Sequence, residues 1–105
     1  MDMQDRQREI YDILSEIAGE YGGNVYFQPP SNVQMRYPAI RYKLTRIDRD
    51  HANNGAYLRH FGYEVTVIDK DPNSPIANNI TKLPMCSYNR SYFADNLNHW
   101  VFILY

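Results

Sequence analysis

The stretch from Tyr63 to Pro84, YEVTVIDKDPNSPIANNITKLP, holds a strand pattern, a proline turn, a helix start and a second proline stop in unbroken succession. Tyr63, Val65 and Val67 alternate with Glu64, Thr66 and Ile68, the period-two pattern of a sheet strand. Asp71-Pro72 ends that strand. Ser74 before Pro75 predicts a helix start, because a serine oxygen accepts an orphan amide and proline is tolerated at the first helical position. Ile76, Ile80 and Leu83 follow at helical spacing until Pro84 halts the helix and returns the chain to a strand. A chain containing this unit must build a sheet and lay a helix across it.

The flanking segments extend the same pattern. From about Gln4 to Tyr21, the residues Ile10, Ile13, Leu14, Ile17, Ala18 and Tyr21 form the stripe of an amphipathic helix, closed by Gly22-Gly23. Val25 to Gln28 reads as a short strand, residues 29–37 as a loop, and AIRYKLTRI after Pro38 as a half-buried strand with Arg41, Lys43 and Thr45 outward. Asn53-Asn54-Gly55 is a hairpin turn signal, followed by a long arm from Tyr57 to Asp69. Met85 to Phe93 and Asn98 to Tyr105 read as two closing strands joined through Ala94-Asp95-Asn96. The last of them, HWVFILY, is apolar on both sides and needs cover on both, from the fold itself or from a neighbouring subunit. The expected fold is α+β: a mostly antiparallel sheet of about five strands, with an N-terminal helix and a short inserted helix packed on one face.

With 105 residues, 44% hydrophobic and 22% charged, the chain reads as one globular domain over residues 1–105. Its ten tyrosines suit strands and equally suit interfaces. The single cysteine, Cys86, permits no internal disulfide and fits a reducing compartment. MDMQDRQREI lacks the apolar run of a signal peptide, and no stretch approaches the ~20 apolar residues of a membrane span. The expectation is therefore a cytoplasmic setting with no membrane partner.

Net charge is only −1, but it is unevenly placed. Residues 1–35 carry Asp2, Asp5, Glu9, Asp12, Glu16 and Glu20 against Arg6 and Arg8. Residues 36–59 carry Arg36, Arg41, Lys43, Arg46, Arg49 and Arg59 against Asp48 and Asp50. An acidic helix and a basic hairpin can neutralise each other within one subunit, stay solvated, or meet between subunits.

The chemistry-bearing residues form no catalytic pattern. His51, His60 and His99 lie in different elements without ligand spacing, and Cys86 has no histidine near it in sequence. Asp69, Asp71 and Asn73 match the start of a calcium loop, which then fails where Ser74, Pro75 and Ile80 stand; turn chemistry accounts for them better. Glycine spacing offers no phosphate loop. Arg41, Lys43, Arg46 and Arg59, interleaved with Tyr42 and Tyr57, leave a nucleic-acid surface open.

The block VTVIDKDPNSPIANNITKLPMCSYNRSYFADNLNHWVFILY, with the earlier YPAIRYKLTRID, resembles the small tail completion or tail terminator proteins of long-tailed, siphovirus-like bacteriophages over roughly residues 37–105. VIDKDP, LPMC and DNLNHWVF carry most of that resemblance. It implies a structural virion protein, assembled in the host cytoplasm as a ring of commonly six subunits. Such a ring caps the head-proximal end of the tail tube, ends its elongation and joins the tail to the head connector. The partners so implied are further copies of the chain, the major tube protein, the connector or another neck protein, and genome DNA in the lumen. It implies no catalytic, cofactor-binding or metal-binding residue. A ring requires a heterologous interface, for which the candidates are the basic strand and hairpin: Arg41, Lys43, Arg46, Arg49, Asn53, Asn54, Gly55 and Arg59. The alternatives are another neck or head-closure adaptor, or a small RNA-binding or RNA-cleaving toxin-like protein, a class that tends to be more basic than this chain.

Overall fold

The computed structural model describes residues 3–29, 34–51 and 57–105, with the backbone alone for residues 3, 46–51 and 57–60. Along the chain run α1 (Met3–Gly19), β1 (Asn24–Phe27), β2 (Ala39–His51), β3 (Tyr57–Asp69), α2 (Pro75–Ile80), β4 (Cys86–Ala94) and β5 (Leu97–Leu104). The strands form one sheet in the order β1-β2-β3-β5-β4, in which β1 is parallel to β2 and every other pair is antiparallel. The α+β architecture read from the sequence is the one found.

The helices share one side of the sheet because only that side carries an unbroken apolar stripe. Ile10, Leu14 and Ala18 of α1, four residues apart, are fully buried. They meet Ile40 and Tyr42 of β2, Tyr63, Val65 and Val67 of β3, Phe102 and Leu104 of β5, and Ile76, Ala77 and Ile80 of α2 in one core. The Tyr42 hydroxyl accepts a hydrogen bond from Gln7 Nε2 at 2.7 Å, which allows a phenol to sit at the centre of that core. Burial raises the pKa of Tyr42 and also that of Tyr63.

Two glycines let α1 turn into β1. Gly22 has φ +69°, and Gly23 donates its N–H to the Ala18 carbonyl at 2.8 Å. A Cβ on Gly23 would stand 3.0 Å from Ile76 Cδ1 and 3.2 Å from Ala18 Cβ, so the end of α1 can approach α2 only over a residue without a side chain.

The proline-bounded unit forms as its residues dictate, with one difference. Ser74 Oγ caps α2 by accepting the Ala77 amide at 3.4 Å. The carboxylates of Asp69 and Asp71 accept the amides of Asp71 and Asn73 at 3.1 and 2.9 Å, so both serve the turn. The helix ends at Ile80 and does not reach Leu83. Ahead of Pro84 the chain tightens into three-residue bonds, from Lys82 N to Asn79 O and from Leu83 N to Ile80 O, while Leu83 still packs on the core. The β4–β5 turn needs only Asp95 and Asn96, at φ 54° and 63°, the two positive values of a type I′ hairpin.

The final strand lies between β3 and β4, and its own subunit covers both faces: Phe102 on the helix side and Val101 on the other are each 1% exposed. Beyond Tyr63↔Leu104, β2 and β3 pair only with each other, as far as His51↔Tyr57. They leave the sheet there as a two-stranded ribbon.

Packing of α2 outweighs its cap in holding the inserted unit. Ile76→Ala removes a fully buried side chain and lowers unfolding free energy by about 2–5 kcal/mol, whereas Ser74→Ala lowers it by about 1 kcal/mol. Urea denaturation of the two variants checks the ranking, and a larger loss for Ser74→Ala contradicts it.

Candidate functional site

The side of the sheet without helices is covered by charged and aromatic side chains. Register places Arg41, Thr66, Val101 and Arg90 in one row across β2, β3, β5 and β4, and Lys43, Glu64, Ile103 and Ser87 in the next. Ala39, Ile68, His99 and Tyr92 form a third row. Beneath the charged ends, Ala39, Thr66, Ile68 and Val101 are buried. Long stems and rings thus do on this side what the helices do on the other.

Tyr92 is the centre of that cover. Its ring stacks on His99 with centroids 4.6 Å apart and planes 11° from parallel. Arg41 Nη2 donates to its hydroxyl at 3.4 Å, and the Arg90 guanidinium lies 5.8 Å from its ring centroid. Glu64 sits between two cations, with Lys43 Nζ at 3.5 Å and Arg90 Nη2 at 4.0 Å. Two cations therefore share one carboxylate, and Arg41 stands beside them on the Tyr92 hydroxyl. Lys43 and Arg90 remain more than half exposed, so these pairs contribute little to stability and their charge is available to a partner. Gln28 and Pro29 wall a groove of about 420 Å³ against Arg41, Lys43 and Glu64.

The acids of α1 do not neutralise this face. Asp5, Glu9, Asp12, Glu16 and Glu20 are exposed on or just after a helix that packs against the opposite side of the sheet. Among the described residues, the ion pair of α1 is internal, Arg6 to Glu9 at 2.9 Å. Arg6 also donates to the Tyr105 carbonyl. Pairing of acidic helix and basic strand within one subunit is thus not what the described residues do.

Of the interface candidates, Arg41 and Lys43 lie on this cationic face. Arg46, Arg49 and Arg59 belong to the ribbon, where Arg49 pairs with Arg59 by backbone register, and a bulge between Leu44 and Arg46 interrupts the alternation leading out from Lys43. Asn53, Asn54 and Gly55 lie outside the described residues. Glu64, Arg90 and Tyr92 join the site without having been singled out, and His99, set aside as a ligand or catalyst, joins it as a stacked side chain. Glu64 was within reach, since folding the hairpin about Asn53-Asn54-Gly55 brings it opposite Lys43. The β4 residues required the strand order, which places β5 between β3 and β4 and is not written in any local pattern.

The arrangement gathers Arg41, Lys43 and Arg90 about Glu64 and Tyr92, with His99 held beneath them. His99 Nδ1–H donates to the Leu97 carbonyl at 3.1 Å and one ring face is covered by Tyr92, so the imidazole serves as a structural plate. Cys86 is half-buried, and burial raises its thiol pKa. Among the described residues, no three His, Cys, Asp or Glu side chains could together hold a metal ion, and no helix is long and apolar enough to cross a membrane. No protein-family model matches the chain, and a search of curated proteins finds no match.

Burial lowers the His99 pKa; the Leu97 hydrogen bond opposes the shift, Arg41 adds to it and Asp95 opposes it. The unfolded chain therefore binds a proton on His99, near its ordinary value of about 6.5, more readily than the folded chain does. Stability from this group is complete above that value and is lost as pH falls through it towards the folded pKa. Thermal melts at about pH 7.5 and about pH 5 should show a smaller acid-induced drop in Tm for His99→Gln than for the wild type. Equal drops would remove His99 from the account.

Proposed function

We propose that this chain is a structural virion protein of the tail terminator kind. In this reading, copies form a ring on the head-proximal end of a phage tail tube, end its elongation and present a surface to the head connector. The observation that carries the reading is the separation of charge across one sheet: exposed acids on α1 on one side, and on the other Lys43 and Arg90 paired to one carboxylate with Arg41 held on Tyr92. A subunit with two unlike faces suits a part that joins two unlike neighbours. The resemblance over residues 37–105 points the same way, and the helix, strand, short helix and closing-strand order agrees with it.

The cationic face then docks on an acidic surface of a neighbouring virion component. Replacing Arg41 and Lys43 together by Glu should leave the protein folded with a modestly lower Tm, since the Lys43 pair is weak and the Arg41 stem is one part of the cover over the sheet. It should abolish capping: tails in negative-stain micrographs grow to irregular, excess lengths and fail to join heads. Tails of normal length with the double variant remove that face from the role, and tails of normal length without the protein overturn the function. A nucleic-acid-binding role draws on Arg41 and Arg90 flanking Tyr92. A tight, salt-sensitive gel shift lost in the same variant would favour it.

A further inference from the structure

The two outer strands of the sheet, unpaired on their far sides among the described residues, complement each other. β1 ends the sheet on one side and β4 on the other. Because β1 is parallel to β2 and each following neighbour is antiparallel, β1 and β4 run in opposite directions. A second copy added in the same orientation therefore sets its β1 antiparallel to β4 of the first, with the helices of both copies on the same side. We propose that copies of this chain associate head to tail in this way, β4 of one pairing with β1 of the next into a continuous sheet.

Both edges carry what such a contact needs. On the helix side, β4 presents Tyr88 and Phe93, 59% and 65% exposed, and β1 presents Phe27, 44% exposed against Tyr42, with Tyr11 of α1 beside it. β1, NVYF, has no charged residue, and the one charge of β4, Arg90, lies on the far side. At about 150–250 Å² for a whole aromatic side chain, the exposed parts of Tyr88 and Phe93 offer roughly 190–310 Å² and those of Phe27 and Tyr11 roughly 130–220 Å², about a sixth to two fifths of the ~800 Å² per partner that a specific interface buries. Strand backbone and the walls beside each edge supply more. Asn24 N and Gln28 N donate inward to Pro38 O and Tyr42 O. The alternate groups of Val25 and Phe27 thus point outward, and no hydrogen bond among the described residues takes them.

A second observation marks the β1 edge. Tyr11, Ser15, Val25 and Tyr26 line a groove of about 310 Å³, and Ser15 Oγ is buried there with no hydrogen-bond partner among the described residues. A hydroxyl in that state costs stability, and the groove above it gives a strand laid along β1 a wall to pack on. The bulge between Tyr88 and Arg90 divides β4 and leaves a straight second half of about the length of β1. The pairing supplies the interface that the proposed ring needs. It rests on that reading only for closure of the ring.

The test uses two exposed positions whose replacement leaves the core intact. Phe27→Lys blocks the β1 edge and Phe93→Lys blocks the β4 edge. Circular dichroism confirms that both are folded, and light scattering with sedimentation gives mass. The wild type should associate beyond a dimer as concentration rises to roughly a millimolar, where a contact of that dissociation constant is half populated. Each variant alone should be monomeric, and an equimolar mixture should give a heterodimer that grows no further, because the one unblocked β4 and the one unblocked β1 pair with each other and only blocked edges are left. A wild type that stays monomeric overturns the pairing, as does a mixture that stays monomeric. Phe27→Lys that still dimerises overturns it in favour of β4 meeting β4. None of these outcomes depends on tail length, so the interface can fail while the terminator role stands, and the reverse.

Discussion

β3 is the constraint on which the rest of the molecule depends. It is paired on both flanks, and on the helix side Tyr63, Val65 and Val67 are held under α1 and α2. Each fully buried aliphatic side chain of this kind contributes about 1.5–3 kcal/mol relative to exposure. Because strand side chains alternate, burying that row assigns Glu64, Thr66 and Ile68 to the other face. The register that fills the core is therefore the register that puts Glu64 beside Lys43 and within reach of Arg90. Core packing and the cationic face are two readings of one alignment, and slipping β3 by one residue would destroy both.

The helix-free face shows how a sheet can do without a second helical layer. Ile68 and Val101 lie beneath Tyr92, His99 and the stem of Arg41, with charged groups only at the outer ends. Such a cover is thin and polar outside. It solves the solvation problem of the apolar rows and concentrates positive charge as a by-product, since the long amphipathic side chains available are mostly arginine and lysine. Acids on α1 complete a subunit that is electrically two-sided although its net charge is −1.

Local chemistry made much of this legible in the sequence. Alternation identified β3 and its buried row, Ser74-Pro75 marked the start of α2, and Ala94-Asp95-Asn96 marked the last turn, of which Ala94 proves to end β4. What local pattern could not give was order. The insertion of β5 between β3 and β4, and the parallel placement of β1, are set by pairings between strands distant in sequence. These decide which strands are edges, and hence that Phe27 and Phe93 are exposed. Leu83 marks a smaller limit: periodicity shows which side chains reach the core, and Leu83 does, but not whether a helix or a tightened turn brings it there.

The ribbon formed by the outer halves of β2 and β3 gives the molecule its elongated outline, 51 by 25 by 24 Å. Two strands without further neighbours have little stability of their own, so the body beneath does not depend on the ribbon's length. Adding or removing one residue pair at a time would turn the outward row inward, but steps of two pairs preserve facing and change the reach by about 7 Å. The ribbon's length can therefore change in discrete increments while the packing that defines the fold stays as it is.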